Sequence, residues 1–188
     1  GEDQLEVFTA NRRDLEHCFG VDLIYVNLTK QNVVMLQYKM LEPVRKNDDQ
    51  TDWVYRPDRQ LDAEIARMNA FAAAHEPGPN EYRLNSQVFY MKFVKRDSSL
   101  GDGGIITPLD HFEKIRTDPS FKGPKQGLRV SYKSLSGRYL RRTPFLDLIK
   151  CGYIGAHAQT ASDLRVLIEA ILDGNKAVVA AVQQKAGG

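Results

Sequence analysis

Two apolar runs separated by a six-residue polar turn constrain this chain more than any other feature. Residues 20–26 (Gly-Val-Asp-Leu-Ile-Tyr-Val) and 33–41 (Val-Val-Met-Leu-Gln-Tyr-Lys-Met-Leu) are rich in β-branched and aromatic residues, the composition of strands. Asn27 to Asn32 forms the turn between them. If the turn is symmetric about the Thr29–Lys30 bond, residues whose numbers sum to 59 oppose each other: Val26 and Val33, Ile24 and Met35, Asp22 and Gln37. Directly opposed side chains of an antiparallel pair have Cβ atoms ~4.5–5.5 Å apart. Lys39, two residues beyond Gln37, shares its face. The other face of the second strand (Val34, Leu36, Tyr38, Met40) is also mostly apolar. A strand apolar on both sides is normally buried.

The rest of the chain supplies elements to cover such a strand. Residues 4–18 suggest a helix, and 43–56 read as irregular, with a flexible loop at 46–50. Pro57 suits the first turn of a helix running to about Ala74, with Leu61, Ile65, Met68 and Ala72 on one face. Glu76-Pro77-Gly78-Pro79 ends it. A strand is expected over 82–95, a loop at 102–104, a short helix over 108–116, and a hairpin from 128–133 and 138–142. A helix over 144–151 closes at Gly152. Thr160 and Asp163 form a capping box for a helix ending at Gly174, and 176–182 reads as a final strand. The expected class is α/β (α+β), a single domain spanning 1–188. The chain opens on Gly1 and closes on Gly187-Gly188, which reads as a domain cut from a longer protein.

Composition narrows the function classes. At 188 residues, 42% hydrophobic and 27% charged, the chain is neither disordered nor a coiled coil. No apolar run approaches the ~18 residues of a membrane span, and no secretory leader is visible. Two cysteines, Cys18 and Cys151, give no disulfide framework, so a reducing, cytoplasmic setting is the default. The net charge of +2 conceals an asymmetry. Residues 1–60 carry eleven acids and eight bases, a net of −3. Residues 122–150 carry Lys122, Lys125, Arg129, Lys133, Arg138, Arg141, Arg142 and Lys150 against Asp147 alone, a net of +7. Such an excess suits a phosphate-binding surface; a solvated basic face is the bland alternative.

The hairpin carries the chemistry. Asp22 and Lys39 on a buried face are costly unless paired or bound to an ion. Mg²⁺ prefers oxygen ligands and takes one or two carboxylates. Asp22 offers a carboxylate, Gln37 an amide oxygen, and Tyr38 a main-chain carbonyl. Lys39 would neutralise phosphate charge and orient a metal-bound water for attack on a phosphodiester. The competing reading is a cross-strand Asp22–Lys39 pair that only satisfies itself.

Gly20-Val21-Asp22-Leu23-Ile24, a turn, then Met35-Leu36-Gln37-Tyr38-Lys39 resembles the core motif of the PD-(D/E)xK nuclease superfamily. Gln37 in place of the usual acid is similar to the QxK variant of Mrr-like restriction endonucleases. The resemblance covers residues 4–75. It implies a restriction-endonuclease-like core with a central mixed β-sheet flanked by helices. It also implies Mg²⁺- or Mn²⁺-dependent cleavage of DNA (RNA remains open), in restriction or antiviral defence. By position Asp22 would bind metal, Gln37 would be the substituted second ligand and Lys39 the catalytic lysine. Glu6 would be the upstream acid, with Glu16 as the other candidate, and Gln60 an accessory residue on the next helix. A nuclease-like domain that binds nucleic acid or a partner without cutting is the alternative, and homodimerisation or further domains are expected partners. Gly101-Asp102-Gly103-Gly104 reads as a turn, Asp110-His111-Phe112-Glu113 as helix capping, and His17, Cys18, Cys151 and His157 lack the paired spacing of a zinc site. Trp53 and Tyr55 read as packing the base of the 46–50 loop rather than stacking on bases.

Overall fold

In the computed structural model the described residues are 4–10, 20–45, 51–73, 82–96, 104–175 and 180–183. The strands are β1 (Gln4–Thr9), β2 (Leu23–Asn27), β3 (Asn32–Arg45), β4 (Thr51–Tyr55), β5 (Phe89–Lys95), β6 (Ile105–Pro108), β7 (Val130–Ser131) and β8 (Ala180–Gln183). The helices are α1 (Leu61–Ala73), α2 (Leu109–Thr117), α3 (Tyr132–Leu135), α4 (Arg142–Lys150) and α5 (Ala158–Asn175). The sheet runs β6-β5-β3-β2-β1-β8, with β4 joined to β3 and β7 joined to β4. β3 and β5 are parallel and the other strand pairs antiparallel, giving a mixed sheet of the α+β class.

β3 sits at the centre because its sequence is apolar on both faces. Val33, Met35 and Leu41 pack with Leu61, Ile65 and Met68 of α1 and with Leu109, Phe112 and Ile115 of α2. Val34 and Leu36 pack with Phe145 and Ile149 of α4. Each fully buried side chain of this size contributes ~1.5–3 kcal/mol from burial alone. The β2–β3 register pairs Ile24 with Met35 and Val26 with Val33, as the symmetric turn predicts. Gly155 passes so close to β3 that a Cβ would stand 2.4 Å from the Val33 carbonyl oxygen, and its φ of +98° is one a side chain rarely adopts.

Several expectations are corrected. Residues 4–9 form β1 instead of helix; 11–19 lie outside the described residues. Leu5 and Phe8 have helical spacing, yet they enter opposite cores, one on each side of the sheet. The stretch expected to be irregular holds the end of β3 and β4, whose register sets Pro43 against Trp53. Residues 46–50 and 102–103 lie outside the described residues, as does the 76–79 segment. The helix expected from Pro57 begins at Leu61, because Asp58 Oδ1 accepts from the N–H groups of Gln60 and Leu61 and caps it. β5 begins at Phe89, seven residues later than expected.

The expected 128–142 hairpin does not form. Ser131 and Ser134 make a reciprocal capping box that turns the chain into α3, and Leu140 bridges to Ile106 instead. The last long helix starts at Ala158, so Thr160 lies inside it, buried, and does not cap it. β8 occupies 180–183 and pairs with β1.

Candidate functional site

The site is built where β2 and β3 part company at the Gly20 end of the hairpin. Asp22 donates its N–H to the Leu36 carbonyl at 2.9 Å, and its Oδ2 accepts the Tyr38 N–H at 2.6 Å. The carboxylate is thus held against the β3 backbone beside Gln37. Gln37 Nε2 lies 3.5 Å from the Tyr38 carbonyl, which is therefore contacted from its own strand. Gln37 Oε1 is enclosed, with no hydrogen-bond partner.

Lys39 is 6% exposed, and its ammonium does not pair with Asp22. Nζ lies 2.5 Å from Glu64 Oε2 and 3.4 Å from Asp58 Oδ2. The cross-strand Asp22–Lys39 pair is therefore replaced by a pair between β3 and α1. Burial acts to raise the Asp58 carboxyl, but hydrogen bonds from Gln60 and Leu61 and the Lys39 charge outweigh it and hold it below the usual range. Tyr55 of β4 closes the base. Burial foremost, then Asp58 and Glu64, drives its phenol far above its ordinary pKa.

Above this pair lies a cavity of about 440 Å³, lined by Gln37, Gln60 and Glu64 together with Gly20, Arg59 and Arg67. Gly20 has φ +64°, and a Cβ there would come within 3.2 Å of the Arg67 guanidinium. A side chain at position 20 would crowd the cavity wall. Gln60 faces this cavity, which brings it together with Gln37. Glu6 is not brought here. It lies on β1 opposite Val26, four residues along β2 from Asp22, which is ~13 Å at strand rise. Glu16 lies outside the described residues.

Glu64 is the residue sequence reasoning missed. Its signal was visible: a glutamate inside the stripe Leu61, Glu64, Ile65 and Met68, all four buried. An acid in an apolar stripe calls for a buried cation, and Lys39 supplies it.

The basic run 122–150 is divided between the two sides of the sheet. Leu128, Val130 and Leu135 enter the core on the α1 side, and Phe145 and Ile149 the core on the α4 side. Arg129 is engaged with Asp52 at 3.1 Å. Lys122 stands at the rim of a separate cavity with Asp62, Glu113 and Arg116. Lys125, Lys133, Arg138 and Arg141 are exposed. Trp53 is partly buried with the Lys95 ammonium 5.5 Å from its ring, and Tyr55 packs against Phe93 and Phe112. Cys151 is an exposed free thiol, whereas His157 is buried. Among the described residues no group of three or more His, Cys, Asp or Glu is placed to hold a metal.

Asp22, Gln37 and Glu64 carry oxygen donors of the kind a hard cation takes; Gln37 and Glu64 line the cavity and Asp22 does not. No protein-family model matches the chain, and no curated protein and no solved structure matches it. Among the described residues no helix is long and apolar enough to cross a membrane.

Proposed function

We propose that this chain is a Mg²⁺-dependent nuclease domain acting on DNA, with Asp22, Gln37 and Lys39 as its working residues. The observation that carries the reading is Gln37 Oε1, an enclosed oxygen with no partner. Gln37 shares its strand face with Lys39 and lines the cavity with Gln60 and Glu64. The β2–β3 register and the parallel return to β5 through α1 support the same reading.

In this reading Asp22 and Gln37 hold the metal from adjacent strands, and Glu64 adds a second carboxylate from α1. The metal's contribution would be to polarise the scissile phosphate and acidify a water. Lys39 holds the nucleophile's position and balances phosphate charge once its ammonium leaves Glu64. Arg59 and Arg67, at the cavity rim, face the phosphate backbone. Cytoplasmic restriction or defence against foreign DNA fits this chemistry by analogy alone. RNA in place of DNA, and a homodimer or further domains, belong to the same proposal.

A second reading has its own observation. Lys39 is already neutralised by Glu64 at 2.5 Å, which suits a domain that binds nucleic acid or a partner without cutting. Plasmid DNA and a matched RNA, each incubated with Mg²⁺ or Mn²⁺, separate the two readings. Divalent-dependent nicking that Asp22→Asn removes is the expected result. Metal-independent binding without nicking, equal in parent and variant, rejects the nuclease reading.

A further inference from the structure

The face of β3 away from Gln37 and Lys39 holds a second polar cluster. Lys92 of β5 is the register partner of Tyr38. Its ammonium lies 4.9 Å from the Tyr38 ring centroid and 3.5 Å from the Tyr38 hydroxyl. Arg142 opens α4, one turn before Phe145, and Phe145 packs between Tyr25 and Tyr90 with ring centroids 6.0 and 5.2 Å away. Residues three apart share a helix face, which sets Arg142 on the face of α4 that Phe145 turns toward Tyr25. Among the described residues neither Lys92 nor Arg142 has a carboxylate at ion-pair distance.

We propose that Lys92, Arg142, Tyr25 and Tyr38 form a binding site for a phosphate group carrying two negative charges. Two cations and two hydroxyls offer a set of donors matched to the four oxygens of a tetrahedral dianion, and arginine's planar fork is suited to phosphate. Burial, then Arg142, lowers the proton affinity of Lys92, so an arriving anion would relieve a repulsion already present. Burial foremost pushes the Tyr25 phenol up to about 12, so it stays a neutral donor. The ligand is inorganic phosphate, a mononucleotide, or the terminal phosphate of a nucleic-acid strand. Tyr38 touches both regions, since its N–H donates to Asp22, but phosphate binding on this face does not require cutting at the other.

The test uses the full chain with three probes: inorganic phosphate by calorimetry, and a short single-stranded oligonucleotide with or without a 5′ phosphate by fluorescence anisotropy. Lys92→Met and Arg142→Gln should each weaken phosphate binding at least tenfold, while Lys114→Gln on α2 leaves it unchanged. Preference for the 5′-phosphorylated strand over its hydroxyl twin, abolished by both variants, assigns the site to strand ends. Binding of inorganic phosphate without that preference assigns it to free phosphate. Arg142 is exposed, so Arg142→Gln reports even if Lys92→Met disturbs packing. Failure of the parent to bind any of the probes, or equal binding by Arg142→Gln and parent, overturns the proposal.

Discussion

On one face of β3 the Lys39 ammonium sits between Glu64 and Asp58; on the other, Lys92 lies over the Tyr38 ring. Both lysines stand among apolar neighbours of the same sheet. The first is 6% exposed and matched by acids, while the second is half-buried and keeps contact with water. Depth accounts for the contrast. A lysine removed from water must bring a carboxylate with it, whereas a half-buried one is tolerated beside an aromatic ring until an external anion arrives.

The largest test of this contrast is to break the deep pair from either side. Lys39→Ala or Glu64→Ala should each cost about 3–5 kcal/mol in urea unfolding, because each strands a buried charge. The double variant Lys39→Met with Glu64→Leu should recover most of that loss, since apolar replacement of both partners leaves nothing unpaired. A single variant as stable as the parent would put Lys39 in water and end the comparison. The next effect concerns Gln37. Gln37→Glu restores a negative charge beside Asp22 and should tighten Mg²⁺ binding about tenfold, or ~1.4 kcal/mol, by calorimetry. Unchanged affinity would remove Gln37 from the ligand set.

Asp58 gives a smaller effect with a pH signature. Asp58→Ala removes the α1 cap and should cost ~1 kcal/mol at pH 7. The folded carboxyl titrates below its ordinary 3.8, so its contribution is complete above that value and fades as pH falls through the lower folded value. Parent and variant should therefore converge in stability in strong acid. The smallest effect is Lys92→Met, expected within ~1 kcal/mol of the parent and on the stabilising side. The folded ammonium titrates below its ordinary 10.5, so its penalty is present near neutrality and is relieved as pH climbs toward that value. The advantage of Lys92→Met should shrink accordingly in thermal melts as pH rises toward 10.5.

The hairpin was legible from sequence because its pattern was strong on both strands. A two-sided apolar run has few ways to pair, and a polar turn between matched strands set the register that places Gln37 and Lys39. The same two-sidedness hid β1. Leu5 and Phe8 look helical until both faces of a sheet are available to receive them. Glu64 was overlooked because periodicity counts apolar positions and passes over a charged one within the stripe, where the partner lies 25 residues away. The basic run was legible as charge but not as shape. Ser131 and Ser134 outbid the expected hairpin and send the chain around to the other layer.

The turn between β2 and β3 is fastened from far along the chain. Asn27 Nδ2 donates to the carbonyls of Ile149 and Lys150, and Asn32 Nδ2 to those of Ile149 and Ile154, across separations of 117 to 123 residues. A growing polypeptide released only as far as α3 would hold its central ribbon with two interior amides still seeking acceptors. Chain synthesis must therefore run well past the midpoint before that ribbon can lock, and a fragment ending near residue 140 should stay soft at this tip and exchange its amide protons quickly.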